Sequence, residues 1–242
     1  MNTKTLTLLT LALTMFLSVN VMAVQPFGAN YTQVKSERAP MDPAQDHEAL
    51  AGNVTELTVS GFSTTQSWQG YFGNITGTIQ LADALDNQMY NWTLASPEGE
   101  IYATTDTSVA WVNIACFDLA GNHSALETLF GIDSDDVDGV NETFFDTGTH
   151  DEFFTNNVQF AAGDCASTEI YDSTGASVDN HFEEVLLTDS GANTEVIFTA
   201  ILDEEDVAGF DNAYHDFEML VLEDGHETDT ATTTYYFYVE LE

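Results

Sequence analysis

Tyr235-Tyr236-Phe237-Tyr238-Val239-Glu240-Leu241-Glu242 is the stretch that decides the fold class. Its odd positions are all apolar or aromatic and its even positions run Tyr, Tyr, Glu, Glu. A period of two places one face against a core and the other toward solvent. The same alternation recurs in Ile75 to Leu81 and in Met89 to Leu94, where Tyr90, Trp92 and Leu94 share a face. Further strands are expected at Leu57 to Ser60, Glu100 to Thr104, Val109 to Ile114, Phe182 to Leu187, Glu195 to Leu202 and Phe217 to Leu222, between clusters of Gly, Asn, Asp and Ser. About nine strands predict an all-β fold, an antiparallel two-sheet sandwich. Leu126, Leu129 and Phe130 at helical spacing add one short helix over Ser124 to Gly131, with Ser124 as its cap.

Upstream of this domain, assigned to residues 52–242, residues 24–51 contain Pro26, Pro40 and Pro43 and no sustained hydrophobic period, which predicts a flexible arm. Residues 1–23 have the form of a secretory signal peptide: Lys4, an apolar run from Leu6 to Leu17, and Val21-Met22-Ala23 as a cleavage site. A retained anchor is the rival, but the run is short for a membrane span and lacks basic residues beyond it. No later stretch is apolar enough to span, so the mature chain is expected outside the cell with no transmembrane segment. In that setting the two cysteines, Cys116 and Cys165, predict a disulfide.

The chain carries 41 Asp and Glu against three Lys and Arg, a formal charge of −38. Lys35 and Arg38 lie in the arm, and from residue 39 onward there is neither lysine nor arginine. Such a body lacks ordinary salt bridges and its carboxylates repel one another at low ionic strength. Salt or divalent ions must neutralise it, which predicts a halophilic protein or, alternatively, one loaded with calcium. Nucleic acid is excluded as a partner because no basic patch meets phosphate. Hydrophobic residues at 43% and aromatics at 12% set the chain apart from a disordered acidic polymer.

Six N-x-S/T sequons, at Asn30, Asn53, Asn74, Asn91, Asn122 and Asn141, are candidate glycosylation sites. Asn91 is expected to point to solvent while Trp92 packs inward. The densest acidic loop places Asp136, Asp138 and Gly139 at EF-hand-like positions, but Ser134 and Phe145 occupy the first and last ligand positions. A standard EF-hand is therefore excluded. A looser calcium loop from Asp133, Asp135, Asp136, Asp138, Asn141 and Glu142 stands beside the simpler reading of a solvated turn. His150, His181 and His215 each have a carboxylate within two residues, a combination found in transition-metal sites, although acids are so plentiful that adjacency says little. Trp68, Tyr71 and Phe72 read first as core and corner packing and second as a platform for stacking on carbohydrate. No H-E-x-x-H, G-x-S-x-G or phosphate-loop motif is present, and no carboxylate pair stands out for glycoside hydrolysis.

Trp68 through Gly77, Met89-Tyr90-Asn91-Trp92, Asp136 through Phe144 and the closing Tyr-Tyr-Phe-Tyr-Val-Glu-Leu together resemble an uncharacterised group of secreted archaeal surface proteins. The resemblance implies a halophile cell exterior and assigns no activity. The expectation is a glycosylated cell-surface structural or adhesion protein, self-associating or held in the cell envelope, without catalysis. A carbohydrate- or calcium-binding module is the alternative, and a hydrolase with an unrecognised site the third.

Overall fold

The computed structural model describes residues 25–94, 98–144, 146–147, 150–189, 195–202, 207–224 and 232–241. Residues 1–23, expected to be a signal peptide, and the positions Phe145 and Glu242 lie outside these. The described residues form a mostly antiparallel β fold built from several sheets, the sandwich-like class that the alternation predicts.

The strands are β1 (Phe27–Gly28), β2 (Trp68–Gly73), β3 (Thr78–Ala82), β4 (Gln88–Thr93), β5 (Gly99–Thr104), β6 (Ala115–Cys116) and β7 (Asp146–Thr147) in the first part. They continue as β8 (Phe153–Thr155), β9 (Val158–Phe160), β10 (Ala166–Glu169), β11 (Glu183–Thr188), β12 (Ile197–Ile201), β13 (Phe217–Leu222) and β14 (Tyr236–Leu241). The largest sheet has the order β1-β14-β5-β12-β11-β10-β7, with β6 also pairing β11. The pairs β2–β13, β3–β4 and β8–β9 stand apart from it.

Both faces of the large sheet are covered. On one, Ile101, Ala103, Leu186, Phe198 and Ala200 pack against Met219, Val221 and Leu222 of β13 and against helices α1 (Leu119–Leu129) and α2 (Val140–Thr143). On the other, Tyr102, Val185, Leu187 and Ile197 meet Trp111, Ile114, Phe153 and Phe160. The central strands are consequently buried at every position, as in β11, rather than at alternate ones. This corrects the expectation for the last strand: Glu240, assigned to a solvent face, is 1% exposed.

Other expectations need correction too. Residues 57–60 form no strand and are exposed, so the arm runs without regular structure from Ala29 to Ser67. Trp111–Asn113 is a 3-10 turn, because Trp111 is drawn into the second core against Tyr102 and Tyr238. The helix is capped six residues earlier than expected, by Asp118 rather than Ser124, and Asp118 accepts from the Gly121 N–H at 3.2 Å. The disulfide is present between Cys116 and Cys165, joining β6 to the segment before β10 with Cα atoms 5.0 Å apart.

Candidate cation site and exposed surfaces

With no lysine or arginine in the body, its buried acids take main-chain N–H groups as partners. Glu184 Oε2 accepts from Leu220 at 2.7 Å, Glu218 Oε1 from Phe210 at 3.0 Å and Asp189 Oδ2 from Ala110 at 2.6 Å. Glu240 accepts from Asn156 at 2.8 Å and from the Tyr102 hydroxyl at 3.1 Å, while Glu127 Oε1 accepts from Val140 at the start of α2 at 3.1 Å. Bonds of this kind, with one charged partner, are worth roughly 1.5–3 kcal/mol. They tie strands to loops where a neutral protein would use ion pairs. Burial nonetheless lifts the carboxyl of Glu184 well above its ordinary value and that of Glu218 to about 7.

One cluster of acids goes beyond this pattern. Glu169 at the end of β10 and Glu183 at the start of β11 are register partners, so two carboxyl groups project from the same face of adjacent strands. The loop between them returns through Asn180 and Phe182, both at positive φ (70° and 48°), and brings Asp179 to the same place. Oxygens from Glu169, Asp179 and Glu183 lie within 4.8 Å of one another. Glu183 is 4% exposed; its Oε2 accepts from the Asp151 N–H at 2.7 Å and its buried Oε1 has no hydrogen-bond partner. Burial, with Asp151 and Glu169 adding repulsion, raises the Glu183 carboxyl to about 7, partly offset by main-chain N–H groups of Asp151 and Asn180. Sequence reasoning missed this cluster. The available signal was Glu183-Glu184 inside the apolar run Phe182 to Leu187, which only makes sense if both carboxyl groups are buried for a purpose.

The acidic loop at 133–142 is arranged differently. Asp136 Oδ2 accepts from the Asp133 N–H at 3.0 Å, closing a local turn. Asp138 accepts from Thr65 through its side chain and from the Trp68 indole through its carbonyl, the latter at 2.6 Å. Asp133, Asp135 and Glu142 are exposed, and Asn141 is half-buried. Among the described residues, the group of three or more His, Cys, Asp and Glu side chains gathered closely enough for a metal is the Glu169 cluster and not this loop.

The histidines serve local structure. His150 is fully buried; its Nε2 accepts from the Cys165 N–H at 2.9 Å, so the ring proton on Nδ1 faces the Asp151 carbonyl at 2.8 Å. His215 faces Asp211 at 2.8 Å rather than the adjacent Asp216, whose carboxylate takes the Ile75 N–H. His181 is half-buried in the loop of Asp179.

Trp68 and Tyr71 pack into the first core, Trp68 against Phe144 and Phe198 and Tyr71 against Phe237. Phe72 lies against Phe210 and His215, with Lys35 over its ring. A paired, exposed aromatic face lies on the β3–β4 hairpin. β3 and β4 pair only with each other, and the register sets Ile79 opposite Trp92 and Leu81 opposite Tyr90 on one face. These four side chains are 51–60% exposed, and the Tyr90 and Trp92 rings sit 5.0 Å apart. Trp92 therefore does not pack inward as expected, because the hairpin has no second layer behind it. The hairpin lies in a charge-poor stretch: residues 57–97 contain only two acids, Asp83 and Asp86 at its tip.

Of the sequon asparagines, Asn30, Asn53, Asn74 and Asn91 are exposed. Asn122 is 9% exposed and donates to the Asp118 carbonyl at 2.9 Å, which closes that site in the folded chain. No helix among the described residues is long and apolar enough to cross a membrane. No family model, curated protein or solved structure matches the chain.

Proposed function

We propose that this is an exported, halophile-type cell-surface protein, structural or adhesive rather than catalytic, whose copies join through the β3–β4 hairpin. The observation that carries this reading is the hairpin's exposed apolar face, Ile79, Leu81, Tyr90 and Trp92, on an otherwise strongly acidic molecule. A two-stranded hairpin is marginal alone, and an apolar face of this kind is the sort that association buries. A second copy is the partner that fits. Two such acidic chains repel over most of their surfaces, and residues 57–97 are where they approach with the fewest carboxylates between them. Export rests on the N-terminal signal pattern, and glycans on Asn30, Asn53, Asn74 and Asn91 suit an exterior setting.

Sedimentation at molar NaCl tests the assembly. The mature chain is expected to self-associate, and Tyr90→Ser with Trp92→Ser is expected to return it to monomer with an unchanged circular dichroism spectrum. A wild-type chain that stays monomeric across the accessible concentration range would end the proposal. The paired Tyr90 and Trp92 rings favour a second reading in which this face stacks on carbohydrate. A glycan array reporting binding that the double variant loses would move the assignment to that reading.

A further inference from the structure

We propose that Glu169, Asp179 and Glu183 bind one Ca2+ ion, which pins the 170–182 loop to the β10–β11 edge of the large sheet. Three observations converge on it. The carboxylate oxygens of the three residues gather within 4.8 Å although two come from neighbouring strands and the third from a loop. Like charges directly opposite on paired strands repel, so an arrangement that aims them at one point calls for a cation between them. The body offers no lysine or arginine for that role. Independently, Glu183 Oε1 is buried without a hydrogen-bond partner, while its Oε2 is held in place by the Asp151 N–H. A buried carboxylate oxygen with no donor is costly, and a metal ion is the ligand that removes the cost.

The donor set selects the ion class. All three side chains offer hard oxygen, with neither histidine nor cysteine among them, which suits calcium or magnesium over zinc or copper. Oxygens about 2.3–2.6 Å from a Ca2+ ion lie up to about 5 Å apart, whereas Mg2+ at about 2.0–2.1 Å needs them within about 4 Å. A limit of 4.8 Å fits within the Ca2+ range, and Ca2+ also tolerates the irregular geometry of two strand carboxylates and one loop carboxylate. Asp179 is exposed and so leaves one side of the ion open to water, completing a coordination shell that three residues alone do not fill.

Titration calorimetry of the mature chain with CaCl2, in about 1 M NaCl to screen diffuse binding, tests this. One site is expected in the wild type. Asp179→Asn, at an exposed position, is expected to weaken it at least tenfold, and Glu169→Gln likewise, while Asp136→Asn with Asp138→Asn leaves it unchanged. A wild type that shows no saturable site, or one that Asp179→Asn leaves intact, or one lost with Asp136 and Asp138, would overturn the assignment. Sedimentation of Asp179→Asn separates this result from assembly, since the hairpin lies on other strands.

Discussion

Glu218 shows what a single acid does in a body without cations. It stands on β13, 2% exposed, with Oε1 on the Phe210 N–H, His215 drawing its carboxyl down and Asp211 and Asp172 pushing it up. Burial dominates and raises the group to about 7 from 4.5. The folded state thus holds the proton more firmly than the unfolded chain. The resulting stabilisation is complete below pH about 4.5 and is lost as pH rises through about 7. Glu218→Gln keeps the acceptor for Phe210 and removes the ionisation. At fixed high salt, calorimetric scans are expected to show wild type and variant melting together at pH 4. At pH 8 the variant should melt about 2–4 °C higher, the shift that roughly 1 kcal/mol gives a domain of this size. Parallel pH profiles for the two proteins would show that the site ionises without cost. Residues like this one were invisible to sequence alternation, which assigns every Glu in a strand to solvent. That assumption holds for a sheet with one wet face and fails for Glu100, Glu183, Glu218 and Glu240, whose strands are covered on both sides or turned under a loop.

Strands with a strong alternation were legible as elements: β5, β11, β12, β13 and β14 fall within a residue or two of their expected positions. β2 was not, because Gly70 and Gly73 interrupt its pattern and its aromatics pack on both sides. The short strands β8 and β9 carry too few residues to show any period. For the cation cluster, the residues were plain but their convergence was not, since it depends on the Glu169–Glu183 register and on a loop return that no local pattern encodes. The cysteines were easier, because a chain with two of them has one pairing available. Their bridge closes a loop of 49 residues of separation that holds both helices and the β8–β9 hairpin, with Cys165 fully buried in the second core. Replacing the pair as Cys116→Ser with Cys165→Ala is expected to cost about 4 kcal/mol by loop-closure entropy. Guanidinium unfolding in high salt would read this as a lowered midpoint, and a midpoint within error of wild type would place the bridge outside the stabilising framework.

At the scale of the whole molecule, two populations of acids respond differently to salt. Most of the buried ones, Glu218 and Glu240 among them and Glu183 aside, accept from N–H donors within the protein and gain little from ions in solution. The exposed ones, Asp133, Asp135 and Glu142 among them, have no lysine or arginine in the folded body to offset them. Their repulsion is long-ranged in dilute buffer, where the screening length is about 10 Å at 0.1 M, and nearly gone at 1 M, where it is about 3 Å. Melting temperature is therefore expected to climb on the order of 10 °C between those concentrations, equally in NaCl and KCl, because screening follows ionic strength and not ion identity. Calcium should behave otherwise. Its effect in 1 M NaCl is expected to saturate as one site fills, because the diffuse repulsion is already removed there and only the Glu169 cluster is left to respond. Asp179→Asn should then lose the calcium step and keep the sodium climb. A melting temperature in dilute buffer with chelator equal to that in molar salt would contradict the entire electrostatic account, since it would mean that the exposed carboxylates do not oppose folding.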